Sequence, residues 1–306
     1  MSTSITTTYA GEFAGKYISA ALLSADTIEG GGITVKPNVK YKEVMKTLST
    51  NALVKNAACD FADQSVVTLA ERILQPEEFQ VNLELCKKDF RSDWEAIEMG
   101  YSAFDTLPPS FADFLLGHIA AKVAQKTEET IWQGATANAG EFDGFEALLA
   151  ADATVVDVTG TTVAAANVIT EMGKVVDAIP TSVYGKEDLY IYVASNVARA
   201  YIRALGGFGA QGLGGSGVNN EGTTWFNGAD LAFDGVKLFV CSGMSDNTMI
   251  AAQKSNLYFG TGLLSDHNEV KLIDMADLDG SQNVRVVMRF TAGVQTGIGA
   301  DIVYYT

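Results

Sequence analysis

Residues 111–134 read FADFLLGHIAAKVAQKTEETIWQG. Leu115, Ile119 and Val123 recur at four-residue spacing, with Phe111, Phe114, Ile131 and Trp132 near the two ends, so one long helix is expected over 111–133. Pro108-Pro109 stops whatever precedes it, Ser110 can cap with Asp113 three residues on, and Gly134 supplies the stop. At 1.5 Å per residue such a helix is about 35 Å long. Its polar second half, Gln125–Thr130, suits a strut across a flat domain, with Glu128-Glu129 read as the solvated face.

The remaining elements are read outward from this helix. Before it, residues 9–24 place Phe13, Tyr17 and Ala21 on a short helical stripe, which Gly30-Gly31-Gly32 ends as a hinge. Val39 and Tyr41 then alternate with Lys40 and Lys42, a period of two that reads as a strand with one apolar and one basic face. Over residues 33–56, Lys36, Lys40, Lys42, Lys46 and Lys55 face Glu43 alone. A second extended run is FQVNLELC, 79–86, so 30–90 reads as an arm or hairpin. After the long helix, a second helix over 163–179 has Thr162 as cap and Pro180 as stop. Strand 189–194 leads into a helix at 196–205 capped by Ser195. Strands are expected at 236–241, 248–252, 256–260, 269–273, 283–293 and 299–305. Helices gather in the middle and strands at the end, so the class is α+β.

Composition narrows the function. The chain has 306 residues, 47% hydrophobic and 19% charged, which excludes a disordered polymer. No run of 18 apolar residues occurs, and MSTSITTTYAGEF lacks the basic-then-apolar pattern of a secretory leader, so a soluble globular protein with no membrane association is expected. With 37 acids against 21 Lys and Arg, a net charge of −16 argues against a general grip on nucleic-acid phosphates. Cys59, Cys86 and Cys241 give neither a disulfide framework nor a metal half-site, and His118 and His267 leave little for histidine chemistry.

Three motifs tempt and fail. Gly207-x-Gly209-x-x-Gly212 and Gly212-x-Gly214-x-x-Gly217, with Gly215 between, match a dinucleotide fingerprint, but a helix precedes them and no helix follows. Asp274, Asp277, Asp279 and Gly280 lack the ligand spacing of a calcium loop, and Asp279-Gly280 reads as a turn. Ser195 has no nucleophile context. The chain is expected to be no enzyme, with no catalytic residue, no cofactor and no metal.

The order of elements resembles the major capsid protein of tailed bacteriophages, the Hong Kong 97-type fold. FADFLLGHIAAKVAQKTEETIWQG is similar to that family's spine helix, LYIYVASNVARAYIRALGG to its axial strand–helix step, and residues 256–305 to its closing strands. The resemblance implies an N-terminal arm at 1–29, an E-loop within 30–92, a peripheral domain at 93–139 and 266–292, and an axial domain at 140–265 and 293–306. It implies a structural protein that self-assembles through hexamers and pentamers into an icosahedral head, enclosing double-stranded DNA without reading its sequence. Separate scaffolding protein, a portal and decoration proteins would be partners, with assembly in the host cytoplasm and residence in the virion. In that setting Lys36, Lys40, Tyr41, Lys42 and Lys46 would reach an acidic acceptor on a neighbour, for which Asp266, Glu269, Asp274, Asp277 and Asp279 are the candidates. Gly207, Gly209, Gly212, Gly214, Gly215 and Gly217 would lie near a symmetry axis. The alternatives are an encapsulin-type compartment shell, and a cytosolic nucleotide-binding enzyme using the 207–217 loop.

Overall fold

The structure is a computed structural model that describes residues 26–50, 54, 56, 57, 59, 67–90, 109–205, 231–262 and 271–306. In chain order the elements are α1 (Asp26–Glu29), β1 (Thr34–Lys36), β2 (Glu43–Thr50), β3 (Val67–Leu74), β4 (Glu77–Cys86), α2 (Lys87–Phe90) and α3 (Pro109–Gln133). There follow α4 (Phe145–Ala151), β5 (Val156–Val158), α5 (Val168–Asp177), β6 (Leu189–Ala194), α6 (Ser195–Leu205), β7 (Ala232–Phe233), β8 (Val236–Cys241) and β9 (Met249–Gln253). The chain closes with β10 (Leu257–Gly260), β11 (Lys271–Asp274), α7 (Ala276–Asp279), β12 (Asn283–Thr296) and β13 (Val303–Tyr305).

These strands make three sheets among the described residues. A mixed six-stranded sheet has the order β5-β13-β9-β6-β8-β7. Its central strand β6 is apolar on both sides, as a strand covered on both faces must be. Tyr192 meets Trp132 of α3 at 5.5 Å between ring centroids, and Trp132 meets Phe145 of α4 at 5.3 Å. Alternation turns Ile191 and Val193 to the other side, and α5 and α6 pack against this sheet through Met172, Val175, Val197 and Tyr201. A second sheet is built on β12, which pairs with β4 over ten positions from Asn283↔Cys86 to Ala292↔Glu77, and with β11 and β10. The third is the two-stranded ribbon β2–β3, from Glu43↔Leu74 to Thr50↔Val67.

The long helix is present, but it begins at Pro109 and places Ser110 inside its first turn. A proline suits the first helical position, because its missing N–H has no intrahelical partner to lose there. Gly134 ends the helix through crowding: a Cβ there would lie 2.3 Å from the Phe142 carbonyl oxygen and 2.5 Å from that of Thr130. Glu128 contradicts the solvated-face reading of the acidic pair, being fully buried. The second helix starts at Val168, five residues after the expected start, because residues 162–167 form a turn of their own, in which Asn167 Oδ1 accepts the Ala164 N–H at 2.7 Å and its Nδ2 donates to the Thr162 carbonyl at 3.0 Å.

Residues 39–42 are no strand. Asn38 takes a left-handed conformation (φ 65°), and the amides of Asn38 and Val39 donate to the carbonyls of Gly262 and Thr261. Val39 is buried there while Tyr41 stands out, and the strand begins at Glu43. Of Gly30–Gly32, expected as a hinge, Gly32 is buried, and a Cβ on it would lie 2.8 Å from the Phe239 ring. The closing strands fall near their expected places, although 299–301 is a turn of 3-10 helix before β13. Asp279 ends a one-turn helix, with Gly280 left-handed at φ 71°. β3, α4 and β5 were not expected. The proposed 9–24 helix and His267 lie outside the described residues.

Candidate functional site

The ribbon β2–β3 presents a face that no other described residue covers. Register places Val44 opposite Ile73, Lys46 opposite Glu71 and Leu48 opposite Leu69 on one face. All six are exposed, with Leu48 at 64% and Leu69 at 66%, and Val67 continues the apolar stripe. The apolar strip is thus interrupted by the Lys46–Glu71 pair, and exposed apolar side chains gathered around one ion pair suit a contact site. A lone hairpin is also marginal in water, so this one needs support.

That support comes at its base. Leu74 is fully buried against Gly260, where an added Cβ would lie 2.9 Å from its Cδ2. Arg72 forms an ion pair with Asp152 and donates to Thr296 Oγ1 at 3.3 Å, and Gln295 Nε2 donates to the Ile73 carbonyl at 2.9 Å. Lys36 pairs with Glu43 at the entry to β2. The ribbon is thus held at one end and free along one face.

The lysines expected to form a basic face divide. Lys36 is taken by Glu43 and lies 5.2 Å from the centroid of the Tyr258 ring. Lys46 lies 3.8 Å from Glu71 across the ribbon. Lys40 and Lys42 are exposed at the corner before β2, Lys42 over the ring of Tyr41 at 5.3 Å. Tyr41 is itself 70% exposed. Of the acidic set, Asp274 is engaged within its own chain by the buried ammonium of Lys87, so it is no open acceptor. Asp277 and Asp279 stand in α7; Asp266, Glu269 and the six glycines from Gly207 to Gly217 lie outside the described residues. Sequence reading missed Val44, Leu48, Val67, Leu69 and Ile73. Their signal was the alternation in Val67-Thr68-Leu69 and Leu48's place two residues beyond Lys46.

Several carboxylates that stitch the chain together are tuned toward ionisation. Burial pushes Asp152 up, but Thr154 and the Arg72 guanidinium outweigh it and hold its pKa below the ordinary 3.8. Burial likewise raises Asp274, and Lys87 with the Ala276 amide brings it below 3.8. Lys126, Asn138 and the Ala135 amide hold Glu141 down to about 2. A depressed carboxylate contributes stability that is complete above its unfolded pKa and lost as pH falls through its folded one. Glu146 works the other way: burial raises it against hydrogen bonds from Ser245, so protonation favours its folded environment. Denaturant midpoints are therefore expected to fall between about pH 4.5 and about pH 2, and Glu141→Gln should show a smaller fall over that window. Urea titrations of both proteins across that range check this; equal losses would refute it.

Comparison with solved structures identifies the fold. The chain superposes on "Capsid of native GTA particle computed with C5 symmetry" with a TM-score of 0.65 at 14% identity, covering 95% of this chain and 93% of that one. The capsid of Myoviridae Phage XM1 gives 0.58 at 10% identity over 99% and 94%. The capsid of the Cyanophage P-SCSP1u gives 0.56 at 13% over 96% and 91%. No family model and no curated protein matches the sequence. The fold is that of these phage and GTA capsid structures, as the order of elements led us to expect.

Proposed function

We propose that this chain is the major capsid protein of a tailed phage, of the Hong Kong 97 type, and that copies of it build the icosahedral head around double-stranded DNA. The observation that carries the reading is a fold shared end to end with capsid subunits, in a molecule whose ribbon presents apolar side chains that no other described residue covers. Burying a half-exposed Leu or Ile contributes roughly 1 kcal/mol. Single contacts of that size are weak, and a closed shell multiplies them.

In this reading the ribbon is the E-loop within 30–92, and α3 is the spine helix of a peripheral domain at 93–139 and 266–292. The six-stranded sheet is the core of an axial domain at 140–265 and 293–306, while 1–29 is the arm and the 207–217 glycines approach a symmetry axis. The protein acts as structure and not as a catalyst. Scaffolding protein, portal and decoration proteins are its further partners, host cytoplasm its place of assembly and the virion its destination. The capsid structures found do not favour an encapsulin-type shell or a nucleotide-binding enzyme.

Electron microscopy of the expressed chain, alone and with its scaffold, tests the proposal. Closed shells with pentameric and hexameric clusters are expected; a protein that stays monomeric at every concentration and with every scaffold tried would end it. Lys40→Glu with Lys42→Glu should reduce shell yield and shift its salt dependence, because these exposed cations would steer the loop onto an acidic neighbour. Unchanged yield at every salt concentration would remove those two lysines from the interface.

A further inference from the structure

Residues 26–36 cross the body as a strap, and the structure shows how they are fastened. At one end Thr27, fully buried, donates its amide to Glu128 Oε2 at 3.1 Å and its hydroxyl to Glu128 Oε1. Trp132 Nε1 shares its hydrogen between Thr27 Oγ1 at 2.9 Å and Glu128 Oε1 at 3.3 Å. Glu128 and Trp132 are one turn apart on α3, and both are fully buried. In the middle, the Tyr192 hydroxyl donates to the Gly32 carbonyl, and Gly32 lies flat on Phe239. At the far end β1 pairs in parallel with β10 for only three residues.

These fastenings differ in kind. The β1–β10 pairing is short, and Tyr192 offers a single hydrogen bond between neutral groups. The attachment at Thr27 instead ties backbone amide and hydroxyl together to one side chain inside the core, which Trp132 also reaches. A carboxylate so placed also needs its donors, since burial without them is costly. We propose that Glu128 is the clasp of this strap: its side chain fixes Thr27, and with it the course of residues 26–36. Glu128 is thereby a positioning residue for that segment. The inference concerns the isolated subunit and holds whether or not that subunit builds a shell.

Hydrogen–deuterium exchange on the dilute full-length chain tests it. Glu128→Gln keeps the side-chain shape but puts an NH2 donor where one carboxyl oxygen accepted, facing Thr27 or Trp132. Exchange across residues 26–36 is expected to speed up by about tenfold or more while strands β6 and β9 keep their protection. Thr27→Val, which leaves Glu128 in place but removes the hydroxyl, should loosen the same segment. Thr27→Ser, which keeps both donors, should restore it. Should Glu128→Gln fail to fold, the Thr27 pair still decides the matter. Unchanged exchange at 26–36 in Thr27→Val, or equal loosening of β6 and β9, would overturn the proposal.

Discussion

Shell formation is expected to be abolished when Leu48→Glu is combined with Leu69→Lys, in a subunit that still folds. The two leucines face one another across the ribbon and are each about two-thirds exposed, so the body loses little packing when they change. Surface substitutions of this kind usually move stability by less than about 0.5 kcal/mol. Opposite charges in directly paired positions also support the hairpin, which two like charges would strain. What the double variant removes is the centre of the apolar strip and, with two charges in its place, any partner's gain from covering it. Repetition around a shell turns a loss of a few kcal/mol per contact into complete failure. Leu48→Met with Leu69→Met keeps the strip apolar and should assemble. Microscopy and sedimentation check particle yield, and thermal unfolding of the unassembled subunit checks the fold. Wild-type shells from the charged pair would show that this face is not a contact surface.

The largest loss of stability from one substitution is expected at Trp132→Ala. Trp132 is fully buried where α3 meets the six-stranded sheet, packed between the tilted rings of Phe145 and Tyr192. Truncating such an aromatic costs about 3–5 kcal/mol, because lost transfer energy adds to an unfilled cavity. Thr27 and Glu128 would lose a donor at the same time. Trp132→Phe keeps an aromatic ring but loses the N–H and part of the indole volume, for which about 1–3 kcal/mol is expected. Urea denaturation of the three proteins ranks them; an alanine variant within about 1 kcal/mol of the parent would mean that this junction is not the keystone of the core.

The long helix, the β6–α6 step and most closing strands were legible because their signals are local. Four-residue spacing in Leu115, Ile119 and Val123 needs no knowledge of what lies opposite, and neither does the run Leu189–Ala194 ahead of Ser195. What could not be read depends on distant partners. Glu128 looked solvated because its donor Thr27 lies 101 positions away. Asp274 looked like a free acid in a cluster until strand pairing set it beside Lys87. Alternation at 39–42 mimicked a strand, but the corner is made by hydrogen bonds to 261–262 and a left-handed Asn38. The ribbon is the instructive case: alternation can assign Leu48 and Leu69 to one face, yet only the fold reveals that both stand exposed among the described residues.

The partners of β12 and β13 set the order in which this protein can be made. Arg285 meets Glu84 across 201 positions of chain, and β13 lies between β5 and β9 inside the six-stranded sheet. Such distant pairings are slow to form, and neither sheet can close before residues 283–305 have emerged from the ribosome. Throughout synthesis the nascent chain therefore carries two unfinished sheets, and a subunit competent to join others exists only once translation has passed that point.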